Sequence, residues 1–303
     1  MISRITSAMV PDYHIHTPLC HHAEGDPAAF KAAAGRQDIP AIAFTDHCPN
    51  PDGYDLQVRM SLDEWPTYQT LVRAQQTPEP PQVLCGIETD YYEGCEHFLR
   101  PWLAQQQLDI VIGSIHYLGN WNFDNPEQLQ IWDTVDVTGV WRTYFDLLGR
   151  FAESRLADVI GHLDLPKKFG HRPPDSIIKA MALPALDRIA KAGLAIEINS
   201  SGLRKPVHEI YPAPMLLALA RERDIPICFG SDAHKPEEVG DHFQESLKLA
   251  REAGYSQAIR FSARQRTVYP LKQPAATTSV PLAPSGPLAA DGATKETDEY
   301  YTT

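Results

Sequence analysis

His14 and His16 stand two residues apart in DYHIHT, at the end of a short apolar run. Residues i and i+2 of a strand leave the same face, so a strand over 10–15 presents both imidazoles together at its carboxyl end. A metal ion takes up the lone pairs of two such neighbours. For this pair alone, one surface imidazole and one hydrogen-bonded in the core is an open alternative. The same residue types recur along the chain. His21 and His22 lie in CHHAEGD, Asp46 and His47 in TDH, Glu88 in GIE with Asp90 close by, and His116 in GSIH. His162 and Asp164 follow in GHLD, then Glu197, Asn199 and Arg204 in EINSSGLR, and Asp232 and His234 in GSDAH. Imidazole and carboxylate donors without thiolate suit Zn, Fe or Mn. Six or more histidines and two acids exceed the needs of one ion, so a cluster of two or three is expected, with an acid able to bridge.

Each group follows a short, nearly all-apolar run, at 10–15, 41–45, 83–87, 110–115, 158–161, 194–198 and 226–230. Such runs are what a parallel sheet covered on both faces requires. Helical stretches fall between them, at 27–36, 95–107, 140–155, 175–192, 212–222 and 237–253. That alternation gives βαβ units, hence an open doubly wound sheet or a closed barrel. In both, ligands bind at the carboxyl ends of the strands, where all seven candidate strands deliver their polar groups. The segments 50–59 and 120–136 are rich in Asp, Asn, Pro, Gly and Trp and read as loops above a pocket.

With 303 residues, 43% of them hydrophobic and 22% charged, the chain suits one α/β barrel or two smaller domains. A formal net charge of −12 argues against binding a polyanion such as nucleic acid. No apolar run reaches membrane-span length, and MISRITSAMVP lacks the apolar core of a signal peptide. Five cysteines, an odd number with no CxxC pair, fit a reducing cytoplasm. Cys20 and Cys48 read as small buried fillers beside the ligands. The domain is expected over 1–270. The stretch 271–303, rich in Pro, Ala, Thr and Ser, reads as a disordered or loosely attached tail.

The HxHT opening, TDH, GIE, GSIH, GHLD and GSDAH, in that order over roughly 10–265, resemble the PHP superfamily. HTPLCHHAEGD, GSIHYLGNWNFD and NSSGLRKP resemble its histidinol-phosphatase branch in particular. The resemblance implies a distorted seven-stranded (β/α)7 barrel, TIM-like, with three divalent ions (Zn, Fe or Mn) at the carboxyl ends of the strands. It implies that His14, His16, Glu88 and Asp232 hold one ion. Glu88 would bridge to a second, held also by His116 and His162, and His22, His47 and His234 would hold the third. The usual form has Gly where this chain has His21, so the ligand role passes to His22, with His21 just behind it. Asp46 and Asp164 are expected to orient imidazoles or relay a proton.

The expected reaction is hydrolysis of L-histidinol phosphate to L-histidinol and inorganic phosphate, by in-line attack of a metal-bound hydroxide without a phosphoenzyme. A different small ester, such as a nucleotide or a sugar phosphate, is the alternative. Arg204 is expected to clamp the phosphate, because a guanidinium forks onto its oxygens and stays charged. His171 and Arg172, in a cationic patch with Lys168, are candidates for holding the substrate, and Trp121 and Phe123 for walling its imidazole. Asp46, His234 or a bound water would protonate the leaving group. The only expected partner is the small phosphorylated substrate; the oligomeric state is left open.

Overall fold

The computed structural model describes residues 10–271. The reading of 271–303 as a tail therefore lies outside the described residues beyond Leu271, whose side chain is buried. The apolar runs form strands β1 (Asp12–Ile15), β2 (Ala41–Phe44), β3 (Gln82–Asp90) and β4 (Ile110–Ser114). A small hairpin, β5 (Tyr117–Leu118) and β6 (Trp121–Asn122), follows. Then come β7 (Val159–Ile160), β8 (Ala195–Asn199) and β9 (Ile227–Gly230). Seven of these make one sheet in the order β1-β2-β3-β4-β7-β8-β9, with every pairing parallel.

The sheet curls until its edges meet. Ile15 bridges Ala233 just past β9, with His16 N donating to Ala233 O at 2.9 Å and Ala233 N to His14 O at 3.2 Å. Asp12 fastens the same seam, accepting from Ser231 N at 2.9 Å, Ser231 Oγ at 2.5 Å and Gly240 N at 3.0 Å. The result is a distorted seven-stranded near-barrel of TIM type.

Seven α-helices accompany the strands among the described residues: α1 (Pro27–Arg36), α2 (Trp65–Arg73), α3 (Glu96–Gln105), α4 (Val137–Ser154), α5 (Asp175–Ala192), α6 (Pro214–Arg221) and α7 (Phe243–Glu252). Local chemistry sets their ends. Asp26 caps α1 by accepting from Ala29 N, with Pro27 in the first turn, and Asp136 caps α4 by accepting from Thr138 N. That cap starts α4 three residues before the expected 140. The helix expected from 237 begins at Phe243 instead. Pro236–Glu238 is a 3-10 turn, and the Glu238 carboxylate there accepts from His234 N at 2.8 Å. No helix among the described residues is long and apolar enough to cross a membrane.

Helix α2 and the β5–β6 hairpin have no counterpart among the elements expected from sequence, and neither does a second hairpin. Strands β10 (Gln257–Ser262) and β11 (Gln265–Pro270) form an antiparallel hairpin. Its tip, Ala263 and Arg264, has positive φ at both residues, a turn that normally calls for Asn or Gly. The tip is held at the amino ends of the barrel strands, by Ala263 N on Asp109 Oδ1 and by Arg264 Nε on Asp158 Oδ2, both at 2.9 Å. Phe261 inserts there, edge-on to Tyr13 at 5.5 Å, among Leu84, Ile110, Val159 and Cys228. The hairpin closes the end of the barrel opposite the His-rich motifs. Phe261→Ala should therefore cost about 3–5 kcal/mol of stability while leaving metal content unchanged. Chemical denaturation with metal analysis checks this, and a loss under about 1 kcal/mol would mean that Phe261 does not plug the barrel.

Candidate metal centre

Glu88 sits at the carboxyl end of β3, 1% exposed, with each carboxylate oxygen facing a different set of imidazoles. Its Oε2 lies 2.9 Å from His47 Nδ1, 3.4 Å from His14 Nε2 and 3.7 Å from His16 Nε2. Its Oε1 lies 3.2 Å from His162 Nε2 and 3.6 Å from His116 Nε2, and accepts from Ser114 Oγ at 2.5 Å. Past β9, Asp232 turns its Oδ1 to His16 Nε2 at 3.2 Å and His14 Nε2 at 3.8 Å. At the rim, His234 Nε2 and His22 Nε2 approach to 2.9 Å, and with His47 they offer nitrogens within 4.8 Å of one another. All nine residues expected as ligands thus converge on one place.

Their other ring nitrogens are mostly fixed. His14 Nδ1 meets Glu197 Oε2 at 2.9 Å, His116 Nδ1 meets Asp90 Oδ1 at 2.5 Å, and His16 Nδ1 faces Asp46 Oδ1 at 3.4 Å. His22 Nδ1 turns to Cys20 O at 2.7 Å and His234 Nδ1 to Asp232 O at 3.0 Å. Such partners orient ligating imidazoles and raise their basicity. Close approach makes room for one of them: a Cβ on Gly230 would lie 2.7 Å from His14 Cβ and 2.6 Å from Glu197 Oε2.

The inward atoms test whether an ion fits. His14 Nε2, His16 Nε2, His47 Nδ1 and Glu88 Oε2 are buried without a hydrogen-bond partner. Orphaned buried polar atoms are costly, and these point at common centres with the donor chemistry of Zn, Fe or Mn. Burial alone would raise the pKa of Glu88, yet His14, His116 and His47 hold it well below the carboxylate range; His14 and His16 do the same for Asp232. Burial lowers the pKa of His47 and, with His16 adding to it, takes that of His234 well down. Against burial, Glu197, Asp232 and Asp90 raise the pKa values of His14, His16 and His116 respectively; a divalent cation among these donors would take the place of their protons, because it needs anionic oxygens and neutral imidazoles.

Above the cluster opens a cavity of about 680 Å³, walled by Asp55, Asn122, Asp124, Lys168, Lys205 and Tyr211. Several expected site residues stand elsewhere. Arg204 does not line this cavity: its Nη2 donates to Ser231 O at 2.7 Å and Asp232 O at 3.4 Å, and its Nη1 faces Asp241 Oδ2 at 3.4 Å. Backbone carbonyls of the ligand loop hold it there. Asp46 is fully buried, with Oδ2 taken by Thr17 N at 3.1 Å and by Thr17 Oγ1, so it orients His16 and is closed to a substrate. His234 does face the cavity.

Asp164 touches no imidazole. Its Oδ2 accepts from Ala213 N at 2.9 Å and pairs with Lys167 Nζ at 3.0 Å, which ties the GHLD turn to the start of α6. His21 points outward, its Nδ1 on Leu56 O at 2.5 Å. Trp121 packs against Trp132 at 5.0 Å, and His171 stacks on the other side of that cluster, 4.8 Å from Trp132. Arg172 is paired with Glu209 and Asp175. Lys205, next to Arg204, lines the cavity. Two acids with central tasks, Asp90 and Glu197, were visible only as carboxylates near strand ends. Which imidazole each meets depends on strand neighbours far away in sequence.

Residues 12–201 match the PHP domain and 215–246 the "PHP-associated" region. The "Probable histidinol-phosphatase" of Deinococcus radiodurans is 46% identical over 245 residues, which is 80% of this chain and 93% of that protein.

The chain belongs to the PHP family.

Another relative, the "Histidinol-phosphatase" of Bacillus subtilis, is 26% identical over 267 residues, 78% of this chain and 98% of its own length. Among solved structures, histidinol phosphate phosphatase from Lactococcus lactis, complexed with Zn, L-histidinol and phosphate, shares the fold. It superposes with a TM-score of 0.72 at 18% identity, covering 85% of this chain and 98% of that one.

Two substitutions probe this PHP centre. Glu88→Gln should lose metal and nearly all activity together, because the amide removes the charge between both imidazole sets. Glu197→Gln should weaken metal binding by about 10- to 100-fold, since His14 loses its anionic partner. Metal analysis during titration with a competing chelator checks both. Full metal retention by Glu88→Gln would contradict its shared role.

Proposed function

We infer that this protein is a metal-dependent phosphomonoesterase that hydrolyses L-histidinol phosphate to L-histidinol and inorganic phosphate. One observation carries the reading. A single buried carboxylate, Glu88, is shared by two imidazole sets on the floor of an open cavity, in a chain 46% identical to a protein called a probable histidinol-phosphatase. Three divalent ions account for the donors. His14, His16, Glu88 and Asp232 would hold the first, Glu88, His116 and His162 the second, and His22, His47 and His234 the third. When bound, such ions acidify water and neutralise charge on a phosphoryl group.

The chain's own residues do the rest. Glu88 and Asp232, held ionised, keep the floor anionic enough to retain the ions. Asp90, Glu197 and Asp46 fix His116, His14 and His16, so the floor does not reorganise as charge builds on the phosphoryl oxygens. Burial and the neighbouring His16, His22 and His47 push the pKa of His234 well down, so it would serve as a donor to metal rather than as the acid for the leaving alkoxide. The wall carries Asp55 and Glu127 beside the Asp124–Lys168 pair, and its two acids unmatched among the described residues suit the cationic end of a histidinol ester. The floor would accept any small phosphate ester, so substrate choice falls to that wall. The five cysteines are all unpaired and buried, which supports a reducing cytoplasm.

The test is phosphate release from L-histidinol phosphate, a nucleoside monophosphate, a sugar phosphate and p-nitrophenyl phosphate, with metal measured on the same preparation. We expect kcat/KM for L-histidinol phosphate to exceed the others by roughly 10³-fold or more, and chelation to abolish all four rates. Comparable weak rates on all four with metal bound would transfer the assignment to another small ester.

A further inference from the structure

The cavity contains a cation, Lys205, that neither the metal cluster nor the barrel employs. Most basic side chains around the site are already neutralised. Lys168 pairs with Asp124 at 2.9 Å, Arg59 with Asp90 at 2.7 Å, and Lys167 with Asp164 at 3.0 Å. Arg172 is paired with Glu209, and Arg204 is turned onto the carbonyls of Ser231 and Asp232. Lys205 is different. It is half-buried and lines the same cavity as His22, His47, Asp232 and His234. Its ammonium makes no ion pair or hydrogen bond among the described residues.

The backbone aims it there. Asn199 Oδ1 accepts from Ser201 N at 2.9 Å and starts the 3-10 turn Ser200–Arg204. The turn is pressed against the chain at Glu209, whose carbonyl oxygen lies 1.9 Å from where a Cβ on Gly202 would be. Only glycine fits there. Lys205 follows with φ −100 and ψ 166, the extended form that Pro206 imposes on its predecessor. Arg204 ends the turn with its guanidinium on the ligand loop, whereas Lys205, in the extended residue that follows, lines the cavity. Ser201 Oγ, on Asp232 Oδ2 at 3.1 Å, ties the turn to a ligand.

We propose that Lys205, rather than Arg204, is the side chain that binds the phosphoryl group, its ammonium donating to a non-bridging oxygen of the ester above the metal floor. The assignment rests on reading this cavity as the site of phosphate-ester hydrolysis. A half-buried ammonium without a counter-ion is costly, and a dianionic ester supplies the missing charge. Burial lowers the Lys205 pKa, with Asp232 opposing and Lys168 and Arg204 adding to the effect, in keeping with a charge that lacks a partner.

The experiment measures competitive inhibition by inorganic phosphate and by L-histidinol on the metal-loaded enzyme, comparing parent, Lys205→Met, Lys205→Gln and Lys205→Arg. A charge-assisted hydrogen bond corresponds to about 10- to 100-fold in affinity. Lys205→Met should raise the Ki for phosphate by that factor with metal content unchanged. The Ki for L-histidinol should move by less than about threefold, and Lys205→Arg should recover part of the phosphate affinity. A phosphate Ki in Lys205→Met within about threefold of the parent would overturn the proposal. Loss of metal in both Lys205→Met and Lys205→Gln would overturn it too, by showing that Lys205 supports the centre instead. Because p-nitrophenyl phosphate can report the phosphate Ki, a wrong substrate assignment leaves a different trace: Lys205-dependent phosphate binding without preference for L-histidinol phosphate.

Discussion

A buried carboxylate that faces imidazoles on both sides sets the terms for this molecule. Burial opposes the charge on Glu88, and the imidazole nitrogens around it are themselves short of partners. Such an arrangement is stable only when positive charge sits among the donors. Much of the surrounding architecture keeps it in place. Glu88 N donates to Asp46 O at 2.9 Å and Cys48 N to Glu88 O at 2.8 Å, so β3 is locked to the strand end that supplies His47. Ser114 from β4 takes one oxygen directly.

Around the centre lies a shell of acids that never reach the cavity. Asp90 couples His116 to the buried Arg59, whose Nη1 also donates to Cys48 O at 2.9 Å. Glu197 joins His14, the His162 amide and Asn199 in one cluster. Each carboxylate links strands distant in sequence, so orienting the ligands and holding the barrel together are one task. The division between Arg204 and Lys205 follows the same economy: adjacent residues of one turn secure the ligand loop and meet the ligand.

Sequence made the barrel and its ligand edge legible because both follow from local pattern. Apolar runs of strand length precede every metal-type residue, and all seven runs became strands of the sheet, differing from expectation only at their ends. The nine expected ligands converge for the same reason, since a strand end in a parallel barrel has one place to point. What local pattern could not give was the direction of side chains on turns. Arg204, His171, Arg172 and Trp121 sit in loops whose hydrogen bonds are made to distant carbonyls and rings. Asp90 and Glu197 stayed unassigned because their partners are set by strand order. The β10–β11 hairpin escaped because its turn uses Ala263 and Arg264 where Asn or Gly is the usual sign.

The seam between β1 and β9 bears on how the protein comes into being. His14 and His16 belong to the first strand of the barrel, whereas Asp232 and His234 follow its last, and the bridge from Ile15 to Ala233 joins them. A nascent chain on the ribosome therefore carries isolated imidazoles and acids but no finished binding site until nearly the whole barrel has emerged. Contacts this far apart in sequence form late and slowly. Metal capture is thus a closing event of assembly, which makes a filled centre a mark of a completed barrel.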